Sequence, residues 1–114
     1  MPITNKFSPA GDPVWYTDEF RNVLEDHLTY LRHHKSTQLQ SVEANLVIKY
    51  RFDMFSLFRY YRINDYLHWI TMRMNGYKSP TDDFSEMTSF IVPNETTANQ
   101  ILQHYNSRNR KRGK

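Results

Sequence analysis

Imidazole, carboxylate and hydroxyl side chains are the groups in this 114-residue chain that could do chemistry, and their spacing decides whether they can act together. His27, His33 and His34 lie in one segment. Adjacent histidines on a helix point about 100° apart, so His33 and His34 chelate poorly as a pair. His27 and His34 share a face, but two turns separate them by roughly 10 Å, more than one ion's ligands span. His68 and His104 fall in unrelated segments. Asp82, Asp83 and Glu86 offer paired carboxylates, yet they sit in a polar loop with no histidine or serine placed to complete an acid–base set. Ser56 falls in a helical pattern without a neighbouring base. The three glycines form no phosphate-cradling motif. With no cysteine, disulfides and thiolate metal sites are excluded, and folding in a reducing cytoplasm is expected. These residues predict no catalytic centre, no metal and no cofactor.

The composition moves the question from chemistry to contact. Hydrophobic residues are 39% of the chain, a low share for a globular protein, while aromatics reach 15%, with eight Tyr and seven Phe. Few aliphatics and many rings imply a small core plus surface anchors, since Tyr and Trp tolerate one wet end. The length suits a single domain. No apolar run approaches the roughly 20 residues of a membrane span, and "MPITNKFSPAGDP" does not read as a secretory signal. The net charge of +3 is local: Arg108, Arg110, Lys111, Arg112 and Lys114 carry the basicity, and without them ten basic residues face twelve acidic ones, a body of net −2. No aromatic interrupts that basic run, so nucleic-acid stacking has no support there, and a solvated, disordered tail is expected.

The elements that must position the rings follow from periodicity and caps. Pro2, Pro9, Gly11 and Pro13 predict an extended arm over 1–14. Thr17 is a plausible N-cap, Asp18 and Glu19 suit a first turn, and Phe20, Val23, Leu24, Leu28 and Leu31 recur at helical spacing, predicting a helix over 18–34. The polar run "KSTQLQSVEAN" predicts a connection over 35–45. "LVIKYRF", β-branched and aromatic, is the best strand candidate. Asp53 can cap a helix at "MFSLFRYY", Asp65 one at "YLHWITMRM", and Gly76 supplies a helix stop. "SFIVP" predicts a strand ended by Pro93, and Asn94 can cap a short amphipathic helix carrying Ala98, Ile101, Leu102 and Tyr105.

Strand, helix, helix, strand within 46–93 resembles the LysM fold, in which two helices pack on a two-stranded antiparallel sheet. "KYRFDMFSLFRYY" looks like its opening strand, turn acid and first helix, "LHWITMRMN" like its second helix with the terminal Asn, and "FIVPN" like its closing strand. The turns that line the sugar groove in glycan-binding members are here Arg51-Phe52-Asp53-Met54 and Glu86-Met87-Thr88, which favour packing against protein. A narrower resemblance joins "FRYYRINDYLHWITMRMNGYKSPTDDF" to the LysM-like baseplate wedge proteins of contractile-tailed phages, through Tyr60-Tyr61, Asp65-Tyr66, His68-Trp69, Asn75 and Pro80 to Phe84. It covers about 50 of the 114 residues.

The resulting expectation is an α+β protein: an extended arm and amphipathic helix over 1–45, a LysM-like βααβ unit over 46–93, and a short helix with a basic disordered tail over 94–114. Leu57, Tyr61, Trp69, Ile70 and Ile91 are expected in the core, with Trp69 filling it rather than serving as a sugar platform. Trp15, Tyr60, Tyr66, Tyr77 and Phe84 are expected at an interface, since one small unit cannot bury every ring. The resemblance implies a structural, non-enzymatic virion component, assembled in the host cytoplasm, which joins neighbouring baseplate and tail proteins in several symmetric copies. The competing expectation is a peptidoglycan-binding LysM module; a nucleic-acid-associated protein using the basic tail ranks below both.

Overall fold

A computed structural model describes residues 11–112 of the chain. The fold is α+β, with six α-helices and one two-stranded antiparallel sheet among the described residues. Asp12 caps a 3₁₀ turn, Pro13–Tyr16, by accepting the Val14 N–H. Helices α1 (Asp18–Asp26) and α2 (Leu28–His33) follow, then strand β1 (Gln38–Ser41), helices α3 (Ala44–Lys49), α4 (Met54–Tyr60) and α5 (His68–Met74), strand β2 (Ser89–Val92) and helix α6 (Glu95–Arg112).

Most short-range signals hold, but Asp65 does not cap α5: it opens a 3₁₀ turn, Asp65–Leu67, and Leu67, which precedes α5, makes no side-chain capping bond. Thr17 caps α1 through the Phe20 N–H, Asp53 caps α4 through Ser56, and Asn94 Oδ1 accepts the Thr97 N–H at the start of α6. Gly76, at φ 89°, ends α5 in a left-handed residue, with Gly76 N–H on Arg73 O and Tyr77 N–H on Met72 O. The same pair of bonds ends α4, from Arg62 N–H to Arg59 O and Ile63 N–H to Phe58 O, but there Arg62 occupies the left-handed position at φ 64°.

Four expectations are corrected. "LVIKYRF" is no strand: it is α3 and the turn after it. Leu46 and Val47 are buried, Tyr50 is half-buried, and Ile48 is exposed, which is a helical and not an alternating pattern. The first strand lies instead at Gln38–Ser41, inside the expected connection, because the backbone of Ser89–Val92 pairs there, in register Gln38↔Val92 through Ser41↔Ser89. The helix over 18–34 breaks at His27, whose ring takes the Val23 carbonyl oxygen at 2.8 Å. The basic tail is helical as far as Arg112, where cations suit a helix C-terminus, and Gly113 and Lys114 lie outside the described residues. Most of the extended arm, residues 1–10, lies outside the described residues.

Two apolar clusters fill the interior, one on each side of α5. Trp15, Phe20, Leu24, Leu31, Leu67, Ile70, Met74, Ala98, Ile101 and Leu102 form the first; Leu46, Val47, Met54, Leu57, Phe58, Met72, Phe84, Met87 and Phe90 form the second. Trp69 and Ile63 pack against both. The C-terminal end of α5 then fastens the rest. Arg32 donates from Nε to Met74 O at 2.8 Å and from Nη2 to Arg73 O at 3.1 Å. Arg73 makes a two-point pair with Glu25, at 2.6 and 2.9 Å, binding α5 to α1. Asn75 donates to Thr71 O at 2.6 Å and Ile91 O at 2.9 Å, and accepts from Ile91 N at 2.8 Å, binding α5 to β2.

Asn75→Ala removes all three of those bonds and orphans both polar groups of Ile91, so it is expected to lower unfolding stability by about 2 kcal/mol in urea titrations. Nothing lies within 4 Å of a Cβ added at Gly76. Gly76→Ala therefore costs only its left-handed backbone, about 1 kcal/mol, and Arg62→Gly is expected to gain up to about 1 kcal/mol for the converse reason.

Candidate functional site

The residues with chemical potential are occupied by local structure. Asp82 Oδ2 accepts the backbone N–H groups of Lys78 at 2.9 Å and Ser79 at 3.1 Å. Asp83 accepts from Ser85 N at 2.9 Å, and the hydrogen bonds from Ser85 hold its carboxyl below the ordinary range. Ser56 Oγ donates to the capping Asp53 at 2.7 Å. His34 Nδ1 meets Ser36 Oγ at 2.6 Å and accepts from Ser36 N at 3.1 Å. Among the described residues no group of three or more His, Cys, Asp or Glu could hold a metal ion, and no helix is long and apolar enough to cross a membrane.

Of the expected core residues, Leu57 and Ile70 are fully buried, whereas Tyr61, Trp69 and Ile91 are half-buried. Trp69 loses part of its cover because it bridges the two clusters at the surface, where the Arg21 guanidinium lies 5.2 Å over its ring. Ile91 is held by its backbone at Asn75. Tyr61 packs on Phe90, centroids 5.9 Å apart, and its hydroxyl accepts the Glu43 N–H.

Of the expected interface residues, Trp15 and Phe84 are each only 2% exposed, so neither presents a free ring. Trp15 is enclosed by Phe20 and Tyr66, at 5.1 and 4.8 Å, and Phe84 by the second cluster. Tyr66 is half-buried and acts as a strap. Its hydroxyl donates to Glu95 Oε1 at 2.7 Å and accepts from Asn99 Nδ2 at 3.2 Å, while burial, then the Glu95 bond, pushes its pKa up. A Cβ on Gly11 would meet the Tyr66 ring at 2.8 Å, so the chain entering the 3₁₀ turn lies directly on it. Trp15, Arg21, Phe55, Asp65, Tyr66 and Trp69 leave a niche of about 180 Å³ between them. Tyr77 is half-buried against the second cluster, its pKa raised by burial and then by Asp83 and Asp82. Tyr60 remains on the surface at 50% exposure.

Tyr60 belongs to a surface that the sequence reading only half located. Its ring lies 6.3 Å from Tyr50 and 5.1 Å from Tyr61. On the same α3–α4 segment Ile48 is 69% exposed and Phe52 49%. Phe52 sits at φ 60°, a conformation costly for a side chain with a Cβ, and Arg51 lies 5.2 Å over its ring. Ile48 was hidden by the strand assignment; a helical reading of 44–50 puts it opposite Leu46 and Val47. A second surface is the groove of about 620 Å³ between α1–α2 and α6, lined by Val23, Tyr30, Ile101 and Tyr105 with His27 and His104 at its sides.

Set against family models, curated proteins and solved structures, the chain matches none.

Among the described residues one titratable group is buried. His68 packs its ring against Phe55 and Phe58, at 5.3 and 5.8 Å, and Nε2 lies 2.7 Å from Ile63 O. A carbonyl only accepts, so Nε2 carries a proton and the neutral ring suffices. Burial holds the His68 pKa below its ordinary value, against the opposing pull of the Ile63 carbonyl and Asp65. The unfolded chain therefore takes up this proton first as pH falls through about 6.5, and stability present above that pH is lost below it. Glu25 adds a separate loss at lower pH. Its pKa is lowered, first by the Arg73 hydrogen bond, so its contribution is present above the unfolded value near 4.3 and fades as pH falls toward the folded one. Urea midpoints between pH 7 and pH 3 should show both losses, with His68→Gln flattening the upper one and Glu25→Gln the lower.

Proposed function

We propose that this chain is a structural subunit that works by protein–protein contact, and specifically a wedge component of a contractile phage tail baseplate, present in several symmetric copies beside other baseplate and tail proteins. The observation that carries the reading is the exposure of Ile48, Phe52 and Tyr60 along the α3–α4 segment. Large exposed apolar side chains of this kind mark contact sites. Phe52 stands in the turn before α4, where a glycan-binding relative would place small polar residues. A bulky ring there obstructs a sugar groove and suits a partner's pocket.

The strand, helix, helix, strand order expected within 46–93 is replaced there by α3, α4, α5 and β2. We read a LysM-like order instead as β1, α4, α5 and β2, with α3 an addition that the resemblance does not supply. The opening strand of the resemblance moves to Gln38–Ser41, so the proposed unit spans 38–92.

The test uses particles and glycan in parallel. The full chain should sediment with contractile tails in lysates of cells producing it. The double variant Phe52→Ser/Tyr60→Ser should keep its thermal midpoint but lose incorporation by about tenfold or more, the scale of a contact hot spot. Saturable binding of the wild-type chain to purified peptidoglycan, with no tail association, overturns the proposal in favour of the glycan-binding module.

A further inference from the structure

Asn75-Gly76 is the only Asn-Gly pair in the chain. In such a pair the following backbone nitrogen can attack the side-chain carboxamide, because the two groups are tethered in one five-membered ring and glycine has no Cβ to crowd the approach. A bond forms between Gly76 N and Asn75 Cγ, and the carboxamide nitrogen leaves as ammonia, taking the proton that Gly76 N gives up. Water then opens the resulting succinimide at either carbonyl, giving aspartate or isoaspartate.

The native fold withholds each requirement of this step. Ring closure needs Asn75 Cβ and Gly76 N eclipsed about the Cα–C bond. At ψ 8° Gly76 N instead eclipses the Asn75 backbone nitrogen, which turns it away from Cβ. The carboxamide is pinned by Thr71 O at 2.6 Å, Ile91 O at 2.9 Å and Ile91 N at 2.8 Å. The proton that must leave Gly76 N is committed to Arg73 O at 3.1 Å. The fold also has no place for the product. An aspartate here still accepts the Ile91 N–H, but it has no donor, so its charge faces the Thr71 and Ile91 carbonyl oxygens. It would lie at the C-terminal end of α5, where the helix dipole disfavours an anion. Isoaspartate lengthens the backbone by one methylene in the turn that ends α5. We propose that Asn75-Gly76 is a spontaneous modification site held shut by the native fold: the unfolded chain deamidates there and then cannot rebuild the tie between α5 and β2. Time spent unfolded thereby becomes irreversible.

The full chain should be held for equal times at mildly alkaline pH with and without guanidinium chloride, and conversion at Asn75 read by peptide mapping. Conversion is expected to be about tenfold or more faster in denaturant, since the native chain reacts only through rare openings. The fraction that refolds on dilution should fall in step with conversion. Gly76→Ala, whose methyl crowds the attacking nitrogen, should convert several-fold more slowly in denaturant and keep its refolded fraction. Asn75→Asp should be less stable than wild type, and the deficit should narrow as pH falls and the carboxyl gains a proton to donate. Equal conversion with and without denaturant overturns the proposal, as does an Asn75→Asp variant as stable as wild type. Loss of refolding that runs ahead of conversion, or that is undiminished in Gly76→Ala, also overturns it. If Gly76→Ala does not fold at all, the wild-type comparison of conversion with refolding decides alone. None of these outcomes bears on the baseplate reading.

Discussion

The side chain of Asn75 is the point on which this structure turns. A helix that ends next to a strand leaves two sets of backbone groups to satisfy, the last carbonyls of the helix and the outer edge of the strand. One carboxamide meets both demands, because it carries a donor group and an acceptor on one rigid plane. It accepts the Ile91 N–H and donates to both Ile91 O and Thr71 O. The sheet, only two strands wide, would be marginal by itself. Held by Asn75 against α5, it gains a third layer of support without a third strand.

The aromatic-rich composition follows from the same geometry. α5 divides the interior, so neither cluster is a single thick core, and each is completed by large residues delivered from far along the chain. Trp15 reaches the first from the N-terminal turn and Phe84 the second from the loop before β2. A ring covers more area than an aliphatic side chain, so few residues close each cluster. Polar ties then fix the angle between layers. Glu25 and Arg73 join α1 to α5, and Tyr66, Glu95, Asn64 and Asn99 join the turn before α5 to α6. These pairs are partly wet, so they set geometry more than they add stability.

Local chemistry made some of this legible in the sequence. Thr17, Asp53, Gly76 and Asn94 act within three or four residues of themselves, and a cap reads the same before and after folding. β1 was not legible, because nothing in "QLQS" asks for a strand. It is one because Ser89–Val92 lies alongside it. The converse error at 46–52 has the same root: β-branched residues favour strands weakly, and a buried Leu46–Val47 pair decides the matter in favour of a helix. Trp15 and Phe84 stood outside any periodic run, so their burial could not be read from spacing. The surface was recovered through Tyr60 and, as a turn residue favouring protein contact, through Phe52, but Ile48 was not, since the strand assignment reversed its facing.

Phe52 and Arg62 add a constraint of their own. They flank α4 on either side, both at positive φ, where glycine or asparagine would be less strained. At Gly76 the chain uses glycine for the same geometry, so the fold itself does not demand a side chain at such a position. At Arg62 and Phe52 the left-handed backbone turns the chain sharply and still carries a side chain into solvent, a cation in one case and a ring in the other. Both conformations are closed by hydrogen-bonded turns within the chain, Asp53 N–H on Tyr50 O at 2.8 Å around Phe52 and Ile63 N–H on Phe58 O at 3.0 Å around Arg62.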